Sequence, residues 1–274
     1  MSEEPENPVE AGPAVAGTGE KVTFSKVGKR FGDKVVLHDL DLNVRPGERV
    51  TLIGPSGSGK TTILRLLMGL ERVTDGTIQV DGEYFSHMRR GGKLVPASEG
   101  YLRVARRRIG MVFQQYNLFP NMSVLRNITE APVRVLGKSR EEAETRAREL
   151  LTMVGLEGNA DHRPGQLSGG MQQRVAIARA LAMQPEVLLL DEVTAALDPE
   201  LVGGVLGVLR EIAATTDITM LIVTHEMRFA QEVSDRVLMF DGGQIVESAT
   251  PAKLFSEPDH ERTRRFLSAV LDRA

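Results

Sequence analysis

The chain has 274 residues, of which 41% are hydrophobic, so it can build a sizeable core as one large or two small domains. Its formal net charge is −3, but five of its 37 acidic residues lie among the first twenty positions, which contain no lysine or arginine. The rest of the chain is nearly neutral, which argues against a nucleic-acid partner. The absence of cysteine excludes disulfides and thiolate metal sites.

The N-terminal stretch, residues 1–20, is acidic and rich in proline, alanine and glycine. This composition predicts a disordered tail, and it lacks the basic region and apolar core of a signal peptide. No apolar run in the sequence approaches the roughly 18 residues of a membrane span. We therefore expect a cytoplasmic protein whose folded domain covers residues 21–274.

Short apolar stretches separated by turns follow the tail, at residues 22–24, 35–37 and 40–44, and predict an antiparallel sheet. Phe31 lies beside one of these turns. Its ring could stack on an adenine there, although an aromatic residue at the end of a strand is more often part of the core. Its position alone does not decide between the two interpretations.

A glycine-rich loop with the pattern G-x-x-x-x-G-K-T, the P-loop, joins the apolar strand 50–53 to a predicted helix. In such a loop, backbone N–H groups close on phosphate oxygens, the lysine reaches the β- and γ-phosphates, and the threonine hydroxyl meets Mg²⁺. The alternative, a simple glycine-rich turn, does not explain the complete pattern between strand and helix. We therefore expect a nucleoside triphosphate and Mg²⁺ to bind at Gly54, Pro55, Ser56, Gly57, Ser58, Gly59, Lys60, Thr61 and Thr62.

The segment 83–108 follows a predicted strand and an Asp81-Gly82 turn, and we expect it to be an irregular insertion. Its basic residues are Arg89, Arg90, Lys93, Arg103, Arg106, Arg107 and Arg108. The basic group at the end of the segment is Arg103, Arg106, Arg107 and Arg108, and a solvated surface is its favoured interpretation. Contact with anionic lipid head groups near a membrane partner is the alternative.

The strand predicted at residues 109–113 ends on Gln114, whose amide can be offered to a metal or a water. Residues 116 to about 175 have a mostly helical pattern, which predicts a helical subdomain inserted between two parts of the sheet. The subdomain is expected to carry charged, solvated helix faces.

A second predicted anion site follows at Leu-Ser-Gly-Gly. Ser168 is the natural N-cap of a helix that begins with Gly169 and Gly170. The free N–H groups at this helix start attract an anion, although no lysine accompanies them. We call this helix start, Ser168, Gly169 and Gly170, the second phosphate cradle. A chain that has both a P-loop and this cradle suggests a composite nucleotide site built from the two.

Two further buried strands are predicted to end on polar groups. Residues 187–190 lead to Asp191 and Glu192, and residues 220–223 lead to His225. Such strands are typical of a parallel sheet covered by helices. Asp191 is suited to hold Mg²⁺ through a water, and Glu192 to orient or deprotonate an attacking water. The alternatives are ordinary strand-end acids and a structural histidine; as a functional group, His225 would report on the γ-phosphate.

The C-terminal part is predicted to form a hairpin around residues 241–243 and an amphipathic helix over residues 261–273. With these elements the sequence predicts an α/β fold. Its central sheet is mostly parallel and flanked by helices, and it carries an antiparallel β subdomain and the inserted helical subdomain.

Over nearly all of residues 21–274 the chain resembles the ATP-binding subunits of ABC transporters. The resemblance rests on the order of its motifs: the P-loop, Leu-Ser-Gly-Gly followed by Met-Gln-Gln-Arg, a strand ending on Asp-Glu, Ala-Leu-Asp, and a histidine. It implies a P-loop NTPase fold of the ABC ATPase type, with ATP and Mg²⁺ as cofactors. It also implies an ATPase coupled to transmembrane solute transport.

The resemblance implies a role for each matching residue. Phe31 would stack on adenine, and Gln114 would be the lid glutamine that senses Mg²⁺ and the membrane subunit. Glu192 would be the general base, and His225 would contact the γ-phosphate. Asp198 would lie in the loop that joins the two sites.

The resemblance also implies partners. Two copies of the chain would form a head-to-tail dimer, in which the P-loop of one copy holds ATP against Ser168, Gly169 and Gly170 of the other. The dimer would sit on integral membrane permease subunits, at the cytoplasmic side of the cell membrane. Through these subunits it would serve an extracytoplasmic solute-binding protein.

Within the family, several segments look like those of polar amino acid importers. These segments are residues 130–132, 135–137, 180–183 and 197–203. Residues 91–96 and Val193 look more like the branch that imports ectoine and hydroxyectoine. Importers of other polar amino acids remain the alternative.

Two other classes of ATP-binding protein are alternatives to a transport ATPase. A soluble ABC ATPase acting on nucleic acid or ribosomes would need a long coiled-coil insertion or two tandem cassettes, and the sequence has neither. A P-loop kinase for small molecules would leave residues 167–170 unexplained.

Overall fold

The computed structural model describes residues 19–271. The predicted disordered tail therefore lies outside the described residues, except for its last two positions. The predicted C-terminal helix is described as far as Leu271. None of the helices between residues 19 and 271 is both long and apolar enough to cross a membrane.

The strands in this part of the chain are β1 (Val22–Phe31), β2 (Lys34–Val44), β3 (Arg49–Ile53), β4 (Asp75–Val80), β5 (Glu83–Tyr84), β6 (His87–Arg90), β7 (Lys93–Pro96), β8 (Ile109–Val112), β9 (Val187–Asp191), β10 (Thr219–Val223), β11 (Arg236–Asp241) and β12 (Gln244–Ala249). The helices are α1 (Lys60–Leu67), α2 (Glu99–Ala105), α3 (Val124–Leu136), α4 (Arg140–Met153), α5 (Gly169–Ala182), α6 (Pro199–Thr215), α7 (Met227–Val233), α8 (Pro251–Ser256) and α9 (Glu261–Leu271). Short 3₁₀ turns lie at Arg106–Arg108, Glu157–Asn159 and Pro164–Gln166.

The central sheet has six strands in the order β12-β11-β3-β10-β9-β8. All pairs are parallel except β11 with β12. Successive side chains of β9 enter two different cores, because a strand points its residues alternately to the two faces of a sheet. Leu188 and Leu190 belong to one core, and Val187 and Leu189 to the other. This confirms the predicted parallel sheet with both faces covered.

The second sheet is antiparallel, with the order β2-β1-β4-β5. Its strands β1 and β2 are longer than the sequence patterns predicted. The Asp81-Gly82 turn after β4 has positive φ at both residues, 51° and 75°, as a two-residue hairpin requires. The predicted antiparallel sheet and this turn are therefore confirmed.

Three helices, α3, α4 and α5, lie in the region predicted to be an inserted helical subdomain. Ser139 begins α4 with a capping box, in which its side chain and that of Glu142 each accept a hydrogen bond from the other's backbone N–H. The three helices share one core with β9 and α6, to which Ile128, Leu150 and Val175 contribute. Helix α5 continues past residue 175 to Ala182. The predicted end of the helical subdomain at about residue 175 therefore remains a proposal.

The prediction that residues 83–108 are irregular is wrong. Strands β6 and β7 form a hairpin whose turn, Gly91-Gly92, has positive φ at both glycines. Helix α2 follows, and the Ser98 side chain caps it by accepting the N–H of Tyr101. The two glycines were predicted to lie in an irregular insertion, although they are the turn residues of a tight hairpin.

Two of the arginines in this segment are not simple solvated charges. Arg106 donates to the carbonyl oxygens of Met68 and Gly69, 2.9 Å and 2.7 Å away, at the C-terminal end of α1. It therefore satisfies carbonyls that have no partner within that helix. Arg108 forms ion pairs with Asp81 and Glu186. The solvated-surface interpretation is wrong for these two residues.

An ion cluster of Lys21, Asp81, Arg108 and Glu186 joins the two sheets. The Lys21 Nζ atom lies 2.9 Å from Asp81 Oδ2, and Arg108 Nη2 lies 2.7 Å from Glu186 Oε2. Hydrogen bonds from Arg108, opposed in part by burial and assisted by Lys21, lower the pKa of Glu186 from 4.5 to about 2. The ionised carboxylate of Glu186 thus stabilises the folded state.

The substitution Glu186→Gln should lower the thermal midpoint of unfolding at pH 7 by roughly 1–4 °C, a small effect because Glu186 is partly exposed. The folded-state pKa is depressed, so the stabilisation is complete above the unfolded pKa and is lost as the pH falls from about 4.5 towards 2. The difference between wild type and variant should therefore shrink between pH 5 and pH 3 in thermal unfolding monitored by circular dichroism. Glu232→Gln, which removes an exposed carboxylate paired with Arg210, is the matched control. A difference that is the same at pH 7 and pH 3 would contradict this origin of the stabilisation.

Candidate active site

The P-loop connects β3 to α1 and lies against the backbone of β11. Gly54 has φ 143°, and a Cβ atom placed there would come within 2.0 Å of the carbonyl oxygen of Phe240. Gly59 has φ 111° and precedes the first residue of α1. Both positions require glycine, because a side chain would be strained at either φ and would collide at Gly54. The loop backbone is therefore held tightly at the start of α1.

Lys60 is the first residue of α1, and only 4% of it is exposed. Its Nζ atom donates to the carbonyl oxygens of Gly54 and Pro55, both at 2.8 Å. Burial lowers the pKa of Lys60, while the nearby carboxylates of Glu192, Asp191 and Asp241 act in the opposite direction. In this arrangement a buried cation is held by the carbonyl oxygens of a loop whose N–H groups can bind an anion.

A hydroxyl and a carboxylate meet beside the loop. Thr61 donates its hydroxyl hydrogen to Asp191 Oδ1 over 2.8 Å, and Asp191 ends β9 with 8% of its surface exposed. Burial raises the pKa of Asp191, opposed by the hydrogen bond from Thr61. Thr62, the next residue along α1, is partly buried.

The oxygen donors of Thr61 and Asp191 suit Mg²⁺, which prefers oxygen ligands. No group of three or more acidic, histidine or cysteine side chains that could hold a metal occurs within residues 19–271. A magnesium ion at this place would therefore take its other ligands from phosphate and water, as Mg²⁺ commonly does in nucleotide sites.

Glu192 and His225 lie together at the ends of two adjacent strands. The His225 Nε2 atom is 3.0 Å from Glu192 Oε1. Glu192 has a left-handed backbone, with φ 46°, which costs a residue other than glycine about 1–3 kcal/mol. Its N–H donates to the carbonyl oxygen of Val223 over 2.9 Å, and this bond helps to hold the conformation. The pair can place a carboxylate and an imidazole beside one reacting group.

Two other predicted site residues lie on the surface. Phe31 is 45% exposed, and the Lys29 Nζ atom lies 4.4 Å from the centre of its ring. The interpretation of Phe31 as a core residue is therefore wrong. Gln114 is exposed and lies two residues beyond the end of β8. The structure places neither residue in direct contact with the Thr61–Asp191 pair.

The second predicted cradle forms as a capped helix start. Ser168 accepts the N–H of Met171 over 3.3 Å, which confirms Ser168 as the N-cap of α5. A Cβ atom at Gly169 would lie 2.6 Å from the Tyr116 hydroxyl oxygen, and one at Gly170 would lie 3.1 Å from Leu201. The three heavy atoms nearest to each of these Cβ positions belong to Tyr116, Leu197 and Leu201, which lie before α3 and around the start of α6.

Asp198 lies close to the second cradle. It precedes the first residue of α6, and its side chain is exposed and does not cap that helix. Leu197, its neighbour, lies 3.3 Å from a Cβ placed on Gly169. The Asp198 loop and the cradle thus form one surface of the chain.

The sequence predicts the hairpin turn at residues 241–243 but neither its contact with the P-loop nor a role for Asp241. Gly243, two residues later, donates its N–H to the Ser58 carbonyl oxygen of the P-loop over 3.2 Å. Asp241 itself pairs with Arg262 of α9. The only signal in the sequence was the Asp-Gly-Gly turn, which predicts a hairpin and says nothing about its neighbours.

The fold and this site define a nucleotide-binding protein of the P-loop class. A family model described as ABC transporter matches residues 37–195. The probable amino-acid ABC transporter ATP-binding protein y4tH of Sinorhizobium fredii is 60% identical over 251 residues, which cover 92% of this chain and 98% of that relative. The L-cystine transport system ATP-binding protein TcyN of Escherichia coli is 52% identical over 243 residues, which cover 89% and 95%.

A solved structure agrees with these relatives. The dimeric ATP-binding cassette MJ0796, in a post-hydrolysis state with ADP and Pi, has a TM-score of 0.72 and 34% identity, covering 84% of this chain and 98% of its own. The chain belongs to the ABC transporter family. It is an ATP-binding, ATP-hydrolysing transporter subunit, similar to those of amino-acid importers.

Proposed function

We propose that the P-loop grips the phosphates of ATP, with Lys60 as the cation that contacts them. The ammonium group is buried and has carbonyl oxygens as its main partners, 2.8 Å away. Phosphate oxygens would give it charged acceptors, which form hydrogen bonds about twice as strong as neutral ones. The loop N–H groups and the start of α1 add further donors. Phe31 is exposed, as a residue that stacks on adenine must be.

We assign the Mg²⁺ site to Thr61 and Asp191, with Gln114 as a third group that approaches when the nucleotide binds. Bound Mg²⁺ would neutralise charge that develops on the transferred phosphoryl group. The 2.8 Å hydrogen bond between Thr61 and Asp191 supports the assignment, because it brings a hydroxyl and a buried carboxylate to one point. Asp191 would hold a metal-bound water, and Thr61 Oγ1 would be a direct ligand.

The observation that carries the catalytic proposal is the 3.0 Å contact between Glu192 and His225. We assign Glu192 as the general base that takes a proton from the attacking water. His225 would hold the carboxylate in place and contact the γ-phosphate. The two residues come from adjacent parallel strands, so the geometry does not depend on a long loop.

The substitution Glu192→Gln should leave ATP binding intact and reduce hydrolysis by about 10²–10⁴-fold, because the amide keeps the size and loses the base. Lys60→Ala should weaken binding itself, because it removes a charged contact to phosphate. Binding of a fluorescent ATP analogue and release of phosphate measure the two effects separately. Glu232→Gln on α7 removes a carboxylate without touching the site and should behave as wild type. Hydrolysis by Glu192→Gln at the wild-type rate would remove Glu192 from the role of base.

We also propose that two copies of the chain form a head-to-tail dimer. In this dimer, Ser168, Gly169 and Gly170 of one copy would face ATP on the P-loop of the other. The capped start of α5 at Ser168 supports this arrangement, because it offers N–H groups to an anion without a lysine of its own. Asp198, beside the cradle, would connect the two ATP sites. The dimeric state of the MJ0796 cassette is consistent with the proposal.

The partners follow from the same proposal. The dimer would work on integral membrane permease subunits, at the cytoplasmic side of the membrane, and through them serve an extracytoplasmic solute-binding protein. Closure of two chains on ATP would drive the permease between its inward-facing and outward-facing states. The similarity of this chain to a transport system subunit over 95% of that relative's length supports the assignment.

For the solute, we propose a polar amino acid or a compatible solute of similar chemistry. The names of the two relatives, one for amino acids and one for L-cystine, support the amino-acid class. The finer hypothesis of ectoine or hydroxyectoine rests on residues 91–96 and Val193 alone. Residues 91–96 form the turn and strand of the β6–β7 hairpin. Because the solute would pass through the permease, their similarity to the ectoine branch would reflect common descent and not contact with the solute.

Cells that carry this chain with its permease should take up one labelled solute in an ATP-dependent manner, with ectoine tested beside arginine, glutamine and cystine. The same cells with Glu192→Gln are the matched control, because that chain should bind ATP and stall. Uptake of ectoine alone would support the finer hypothesis, and uptake of an amino acid alone would overturn it. Equal uptake of all four solutes with wild type and Glu192→Gln would contradict a role of this chain in their import.

A further inference from the structure

A groove of about 470 Å³ separates the P-loop from the C-terminal helix α9. The residues that line the groove include Pro55 of the loop, Asp241 at the end of β11, and Arg262 and Arg265 of α9. The roles proposed above use none of the charged groups in this groove. Two of them, Asp241 and Arg262, form an ion pair between α9 and the end of β11.

Asp241 begins a turn that is fastened to the P-loop. The N–H of Gly243 donates to the Ser58 carbonyl oxygen over 3.2 Å, and Gly54 packs directly on the carbonyl of Phe240. On its other side, the turn receives His38 of β2, whose Nε2 atom lies 3.2 Å from the carbonyl oxygen of Gly242. The backbone on both sides of Asp241 is therefore fixed relative to the loop.

The carboxylate of Asp241 lies beside the P-loop, because it lines the same groove as Pro55 of the loop. Only 13% of the Asp241 side chain is exposed. A negative charge held there is poorly screened, and it repels a polyphosphate bound at the P-loop.

Helix α9 is held firmly enough to keep Arg262 in place. Glu247 of β12 accepts the backbone N–H groups of Asp259 and His260, over 2.7 Å and 3.1 Å, just before the helix starts. Leu267 is buried in a small core that includes Ile53, the last residue of β3 before the P-loop. The helix thus packs on the strand that leads into the P-loop.

We infer that Arg262 is a positioning residue for nucleotide binding: it neutralises Asp241, so that the anionic side of the P-loop does not repel the triphosphate. With Arg262 removed, a largely buried carboxylate has lost its ion-pair partner beside the site. An unpaired buried charge raises the free energy of the folded state, and its electrostatic field extends further than that of a paired charge. The carboxylate then repels the phosphate oxygens at the P-loop. The inference rests on the proposed contact between Lys60 and phosphate.

The test uses the full chain and the equilibrium binding of a fluorescent ATP analogue with Mg²⁺. Arg262→Gln should weaken binding by about three- to tenfold, an estimate for one unpaired charge near a partly screened anion. Arg262→Lys keeps the charge and should bind within twofold of wild type. Arg265→Gln is the matched control: it removes the same charge from the same groove, but the carboxylate that it leaves unpaired, Glu261, is 66% exposed and therefore screened by solvent. This control should bind as wild type does.

The double variant Asp241→Asn with Arg262→Gln separates charge from structure. Both partners are then neutral, so affinity should return to within twofold of wild type, although the link to α9 is broken. The effect of Arg262→Gln alone should also shrink between 0.05 M and 0.5 M salt, because salt screens charge repulsion. Wild-type affinity in Arg262→Gln, or an affinity loss that the double variant does not repair, would overturn the inference.

Lys60→Ala distinguishes this inference from the proposal on which it rests. If Lys60→Ala loses affinity while Arg262→Gln binds like Arg265→Gln, the proposed role of the P-loop stands and the inference about Arg262 fails. If Lys60→Ala binds as wild type does, the phosphate role of Lys60 fails and the inference fails with it. Thermal unfolding of each variant, with midpoints within a few degrees of wild type, confirms that the binding comparison concerns folded protein.

Discussion

The parallel pairing of β3, β10 and β9 is the constraint on which the site depends. In this register Val223 lies opposite both Leu52 and Asp191, so the three strands end at the same edge of the sheet. The P-loop, His225 and Glu192 follow within two residues of those positions. Each strand is buried along almost its whole length, and shifting its register would expose apolar residues and separate these groups. The geometry of the site is thus set by the core.

The same construction bears on the proposed sharing of the site between two chains. The P-loop lies at the end of β3, while the capped start of α5 packs against Tyr116 and the beginning of α6. Each surface offers backbone N–H groups to an anion, but only one has a lysine. A second copy of the chain, placed head to tail, would supply the missing half. In this proposal ATP would hold the two chains together, and their approach and separation would couple hydrolysis to transport.

The sequence was sufficient to predict the structure wherever a pattern of neighbouring residues determines it. The G-x-x-x-x-G-K-T loop, the apolar strand before Asp191 and the serine that caps α5 all act through neighbouring residues, and the structure contains each element. The hairpin at residues 87–96 was missed because glycines occur both in tight turns and in irregular segments. Phe31 was ambiguous because exposure at a strand end depends on what packs there. A role for Asp241 was not predicted because its ion-pair partner Arg262, and the P-loop that its turn contacts through Gly243, are distant in sequence.

The shared site is tested most directly by mixed dimers of Lys60→Ala and Ser168→Arg chains, differentially tagged and assembled on the permease. Either homodimer carries one defect in every site, a lost charge or a bulky cation in the glycine cradle. In the mixed dimer, sharing across the interface places both defects in one site and leaves the other intact. The mixed dimer should then trap one nucleotide per assembly, whereas neither homodimer should. Trapping by an assembled mixed dimer no better than by the homodimers would contradict the shared site.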